Sequence, residues 1–124
     1  IQGVQHALSL TPMTWGSLGQ GILTGKYGKD TCFGKDDRRS RDIYVNFHGD
    51  KLLHNLEIVE VLKQMATSIG HSVAAVAIRF ILDYIKESIV LVGIKNERQL
   101  ISNLEAMDFA LTQKQIEQLL EVSK

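Results

Sequence analysis

Ile89-Val90-Leu91-Val92-Gly93-Ile94-Lys95-Asn96 passes from an apolar run into a helix start within a few residues. The first four are uniformly apolar and mostly β-branched, the pattern of a short strand buried on both faces of a parallel sheet. Gly93 ends the run. Asn96, with Gln99 three positions on, makes an N-terminal box for a helix expected to run through Met107. A helix start beside a strand end offers free amides and the positive end of a dipole, which favour an anion. Lys95 adds a full charge there, and Gln99 and Asn103, four apart, face the same way, so a phosphate with an attached base fits. A capped helix with a solvated Lys95 fits equally well.

Working upstream, Ser72 caps a helix whose residues 73–82 leave almost no polar face, so it needs cover on several sides. Before it, Asp50 is expected to cap a helix carrying Ile58, Leu62, Met65, Ala66 and Ile69 on one face and stopping at Gly70. Downstream, Thr112 and Gln115 form a second capping box, with Leu111 and Ile116 at the staple positions. Residues 11–15 read as a strand, with Pro12 tolerable near its start, and residues 1–10 as the end of a helix. Residues 27–49 are polar and without period, a long loop of the kind used as a lid or binding loop, or a disordered one.

The order is therefore strand, long loop, two helices, strand, tight loop, helix, helix. That is an α/β arrangement with parallel strands joined by helical crossovers. Two strands give little core and two open edges, so the expectation is a slice of a larger sheet or barrel with a partner segment elsewhere. No second domain is indicated.

Composition restricts the function classes. Fourteen Lys plus Arg balance fourteen Asp plus Glu, which gives no field to draw the chain onto nucleic acid or an anionic membrane. No apolar run nears the ~20 residues of a membrane span. The one cysteine, Cys32, has no companion for a disulfide or a zinc cluster, so a reducing cytoplasm and no metal are expected. The start Ile1-Gln2-Gly3 reads as a cut within a longer protein, without a signal peptide.

After the first expected strand comes Gly16-Ser17-Leu18-Gly19-Gln20-Gly21-Ile22-Leu23-Thr24-Gly25-Lys26, glycine-rich and ending in lysine. Glycines let backbone amides approach an anion closely. The spacing is neither a Walker A loop, since Tyr27 stands where Ser or Thr would hold magnesium, nor a dinucleotide GxGxxG. By itself it fits a turn with a solvent-facing lysine as well as an anion site. Two such loops at strand ends, the second opening a helix, are what the C-terminal face of a (β/α)8 barrel uses after its seventh and eighth strands.

At this point a resemblance emerges. Trp15 through Tyr27 is similar to the seventh-strand loop of aldo-keto reductases, especially the branch of potassium-channel β subunits and bacterial NADP-dependent reductases. Val92-Gly93-Ile94-Lys95, with Gln99-Leu100 and Asn103-Leu104, resembles that family's eighth-strand loop and following helix. The resemblance implies the seventh and eighth βα units of a (β/α)8 TIM barrel, mostly helical as a fragment, and NADP(H) as cofactor. It further implies that Trp15 stacks on nicotinamide, that Gly16, Ser17, Leu18, Gly19, Gln20 and Gly21 line the pyrophosphate and ribose, and that Lys26 approaches the phosphates. Arg39, in preference to Arg38 or Arg41, would join this grip. Gly93 would allow close approach, Lys95 and Gln99 would hold the 2′-phosphate, and Asn103 would bind adenine. Ser102 stands where the family commonly has glutamate.

The family's Asp, Tyr, Lys and His catalytic set lies on earlier strands, so no catalytic residue is assigned here. The chain's own Tyr27, Tyr44 and Tyr84, and His6, His48, His54 and His71, are expected to be packing or surface groups. The expected function is the cofactor-binding part of a reductase acting on a small carbonyl substrate, completed by an N-terminal barrel portion and possible as a homo-oligomer. The alternatives are a non-catalytic NADP-binding regulatory subunit and an interaction module.

Overall fold

The computed structural model describes residues 1–124. Along the chain run α1 (Gln2–Ala7), β1 (Met13–Thr14), α2 (Gly49–Ile69), α3 (Val73–Tyr84), β2 (Ile89–Val90), α4 (Glu97–Leu104) and α5 (Gln113–Val122). Short 3-10 turns occupy Gly19–Thr24, Arg38–Ser40, Val45–Phe47 and Glu105–Met107.

β1 and β2 pair in parallel, with Met13 opposite Ile89 and Thr14 opposite Val90. Within this segment the second strand is covered on one face only. Val90 and Val92 pack on Ala75, Ile78 and Ala106, while Ile89 and Leu91 point away and are nearly half exposed. The side-chain period of two sends alternate residues to opposite faces, and only one face is covered within this chain.

The core forms where the helices meet. Leu62, Met65 and Ala66 of α2 pack on Val76 and Ala77 of α3 and on Leu111, Ile116 and Leu119 around α5. Val76 is fully buried, so its side chain alone contributes ~1.5–3 kcal/mol. The chain turns by 96° between α2 and α3, through Gly70 in the left-handed conformation. No single helix is long and apolar enough to cross a membrane.

The helix starts are specified to different degrees. Ser72 Oγ accepts from the Ala75 amide, and Thr112 and Gln115 form the full reciprocal box with Leu111 and Ile116 both buried. At α4 the box is shifted. Asn96 accepts from the Gln99 amide, but Gln99 Oε1 reaches back to the amide of Lys95 instead of Asn96. For α2 the cap assignment to Asp50 is corrected: the N-cap is His48, without a side-chain cap bond, and Asp50 lies inside the first turn. There its charge still favours the helix dipole.

Residues 27–49 form an ordered strap. Tyr27, Phe33 and Phe47 cluster with ring centroids 4.9 to 5.6 Å apart, Phe47 edge to face with both others and Tyr27 tilted against Phe33. Phe47 joins Ile22, Leu52 and Val59 in a small core of its own, which seats the strap on α2.

Candidate functional site

Because β1 and β2 are neighbours, the loops that follow them lie side by side. Thr14 Oγ1 meets Ser17 Oγ at 3.1 Å, holding the first loop against the strand it leaves. That loop then takes a left-handed path, with φ of +55° at Gly19, +55° at Gln20 and +103° at Gly21. Glycine tolerates such a path and Gln20 does so at a cost. A side chain at Gly19 would also strike Ile22 Cγ2 at 2.8 Å.

A cleft of about 700 Å³ opens between the two loops, α4 and the strap. It brings together Trp15, Gly16, Ser17, Leu18, Gln20, Gly21, Lys26 and Arg39 from the first loop and strap with Gly93, Lys95, Gln99 and Asn103 from the second loop and α4. Gly19 is the exception among the predicted site residues: it faces a smaller apolar cavity beside Ile22 and Leu23. Of the three candidate arginines in the strap, Arg39 is the one that reaches the cleft.

Sequence reasoning missed several lining residues. Ser72, Val73 and Ala74, at the start of α3, form part of the wall, and no local motif distinguishes them from an ordinary cap. Arg98 also lines the cleft, a position that the turn of α4 beyond Lys95 could have indicated. Tyr27 is more than a packing group, since its hydroxyl accepts from Arg39 Nη1 at 2.6 Å.

The electrostatics are one-sided. Lys26, Arg39, Lys95 and Arg98 line the cleft, and no Asp or Glu does. This local excess stands against an overall charge of zero. Arg39 is the paired member: Nε and Nη2 donate to the two carboxylate oxygens of Asp37 at 3.0 and 2.6 Å, and its guanidinium carbon lies 4.3 Å over the Phe33 ring. The Arg39 side chain and amide both donate to Asp37, and with the charges of Arg39 and Lys95 they overcome desolvation to hold its carboxyl at about 2. The Asp37 bond in turn pushes the Arg39 guanidinium further up. Lys95 belongs to the second loop, so the strap lies within electrostatic reach of both sides of the cleft. Trp15 is 89% exposed, a large apolar surface left open on one wall.

The model of the Aldo/keto reductase family matches residues 3–124. The chain belongs to the aldo/keto reductase family. Among its family relatives, a probable voltage-gated potassium channel subunit beta of Oryza sativa is 35% identical over 83% of this chain and 31% of its own length. The aldo-keto reductase YhdN of Bacillus subtilis is 34% identical over 90% of this chain and 34% of its own. Among solved structures, the glycerol dehydrogenase of Gluconobacter oxydans superposes with a TM-score of 0.86 and 28% identity, covering 98% of this chain and 36% of that one. The chain thus corresponds to a C-terminal slice of the aldo/keto reductase TIM barrel and spans about a third of its relatives' length.

Proposed function

We propose that this chain forms the NADP(H)-binding rim of an oxidoreductase of the aldo/keto reductase type. The observation that carries the reading is the cleft itself: two glycine-bearing loops converge on a concave surface with four cations and no carboxylate. Its volume of about 700 Å³ falls within the ~300–1,000 Å³ usual for ligand sites. When bound, the dinucleotide supplies or accepts a hydride in the interconversion of an aldehyde or ketone and its alcohol.

The chain's own residues bind and orient. Trp15 offers a flat apolar face for the nicotinamide ring. Gly16, Ser17, Leu18, Gln20 and Gly21 let the backbone close on the pyrophosphate, with Gly19 shaping the turn from behind and Lys26 and Arg39 supplying charge. Lys95, Gln99 and Arg98 hold the 2′-phosphate, which favours NADP(H) over NAD(H), and Asn103 meets adenine. Proton transfer to the carbonyl falls to groups on the remaining barrel strands, so this segment alone is inactive. Those strands would lie against Met13, Ile89 and Leu91, which are exposed here, and leave Trp15 open to the cleft.

The potassium channel relatives favour a second reading, in which the bound dinucleotide serves a regulatory subunit instead of turnover. Titration of the intact protein with NADPH and NADH, followed by Trp15 quenching, tests the binding claim. Saturable quenching, tighter for NADPH, is expected; no binding of either would refute it. Aldehyde-dependent oxidation of NADPH then separates enzyme from regulatory subunit.

A further inference from the structure

Asn55 is a polar residue only 7% exposed, lying along α2 between Leu52 and Val59, which pack with Phe47 of the strap. A buried amide is costly unless it is hydrogen-bonded, and the bonds it makes fix the next partners in turn. Asn55 Nδ2 donates to the backbone carbonyl of Asn46 at 3.1 Å and to Asn46 Oδ1 at 3.3 Å. A backbone carbonyl can only accept, so Asn55 must turn its NH2 toward Asn46. Asn46 must then offer its oxygen to Asn55, which leaves its own NH2 facing Gln20. That NH2 donates to Gln20 Oε1 at 3.1 Å. With its oxygen turned to Asn46, Gln20 keeps both Nε2 hydrogens free to donate, and Gln20 lines the cleft.

We infer that Asn55 and Asn46 are positioning residues that orient the Gln20 amide so that it presents donors, not its acceptor, to a phosphate-bearing ligand. The relay starts at a carbonyl that cannot reverse its role, so the polarity of every later link follows from it. The inference rests on the reading of the cleft as a dinucleotide site.

The test is a double-mutant cycle in the intact protein, with NADPH affinity and thermal midpoint measured for Asn46→Asp, Gln20→Ala and the pair. A carboxylate at position 46 cannot donate to Gln20, so the Gln20 amide reverses and turns its oxygen to the ligand. Asn46→Asp is expected to weaken NADPH binding about tenfold more when Gln20 is present than when residue 20 is alanine. The added charge acts in both backgrounds and cancels from the comparison. Asn46→Ala, which deletes the link without a charge, should show the same dependence on Gln20. Equal losses in both backgrounds overturn the inference while leaving the dinucleotide reading intact. Failure of the unaltered protein to bind NADPH overturns both.

Discussion

Replacing Asp83 with alanine should cost the protein ~3–4 kcal/mol of stability, judged from the penalty for breaking a buried ion pair. The carboxylate is 8% exposed on α3; it accepts from Arg79 Nη2 through one oxygen and from the Leu111 amide at 2.8 Å through the other. Leu111 directly precedes the N-cap of α5, so this side chain fastens α3 to the start of α5. Alanine leaves the buried Leu111 N–H without an acceptor, a loss of ~1–3 kcal/mol. It also strips the counter-charge from a guanidinium whose side chain is 20% exposed, and breaking such a pair costs ~3–5 kcal/mol in full burial. The two effects share one residue and overlap, which places the total near the lower end of the second range. Asp83→Asn keeps an oxygen for the Leu111 amide but removes the same counter-charge and turns its NH2 toward Arg79, so it should still lose ~2–3 kcal/mol. Burial pushes the Asp83 carboxyl up, but the Arg79 and Leu111 hydrogen bonds, with the charges of Arg79 and Lys86, outweigh it and hold the group low. The contribution is therefore present above the ordinary carboxylate value of 3.8 and lost as pH falls through the lowered folded value. Urea unfolding of the intact protein, followed by circular dichroism at neutral and acid pH, measures both. An Asp83→Ala variant within ~0.5 kcal/mol of the unaltered protein would refute the reasoning.

Lys95→Met should weaken NADPH binding ~10–100-fold, by loss of one charge-assisted bond, while changing NADH binding less than about twofold; parallel titrations decide it. Carboxyl NMR should find Asp37 titrating near 2, and Arg39→Met should return it toward 3.8. Because the folded value is the lower one, the Asp37 tie is intact above 3.8 and released as pH falls through about 2. Gly21→Ala places a side chain at φ +103° and 3.3 Å from the Tyr27 ring, so it should cost ~1–3 kcal/mol in unfolding and weaken dinucleotide binding. Unchanged affinity and stability would count against the left-handed turn as a binding element.

What can be seen in the sequence is local. Ser72, Thr112 and Gly70 announce helix ends by chemistry that acts within three or four residues, and they sit where expected. The loops at Gly16 and Gly93 are visible for the same reason. The second strand's outer face, at Ile89 and Leu91, is exposed here because a slice of a barrel does not carry the layer that would cover it. Asp50 falls inside α2 instead of capping it because sequence signals fix a helix start only within a residue or two. The strap looks featureless in sequence because its order comes from Arg39 with Asp37, Tyr27 and Phe33, a set joined in three dimensions without any period. Arg98 and Ser72 enter the cleft by the same route, through packing between α3 and α4.

The parallel pairing of Met13 with Ile89 and of Thr14 with Val90 joins segments about 75 residues apart in the chain. Closing so long a span is entropically unfavourable by ~4 kcal/mol or more, and the reward arrives only once α2, α3 and α5 have docked. A cleft built on that pairing exists only once the two strands have met. A dinucleotide would then bind only the finished arrangement and raise the melting temperature by mass action, without accelerating the early collapse.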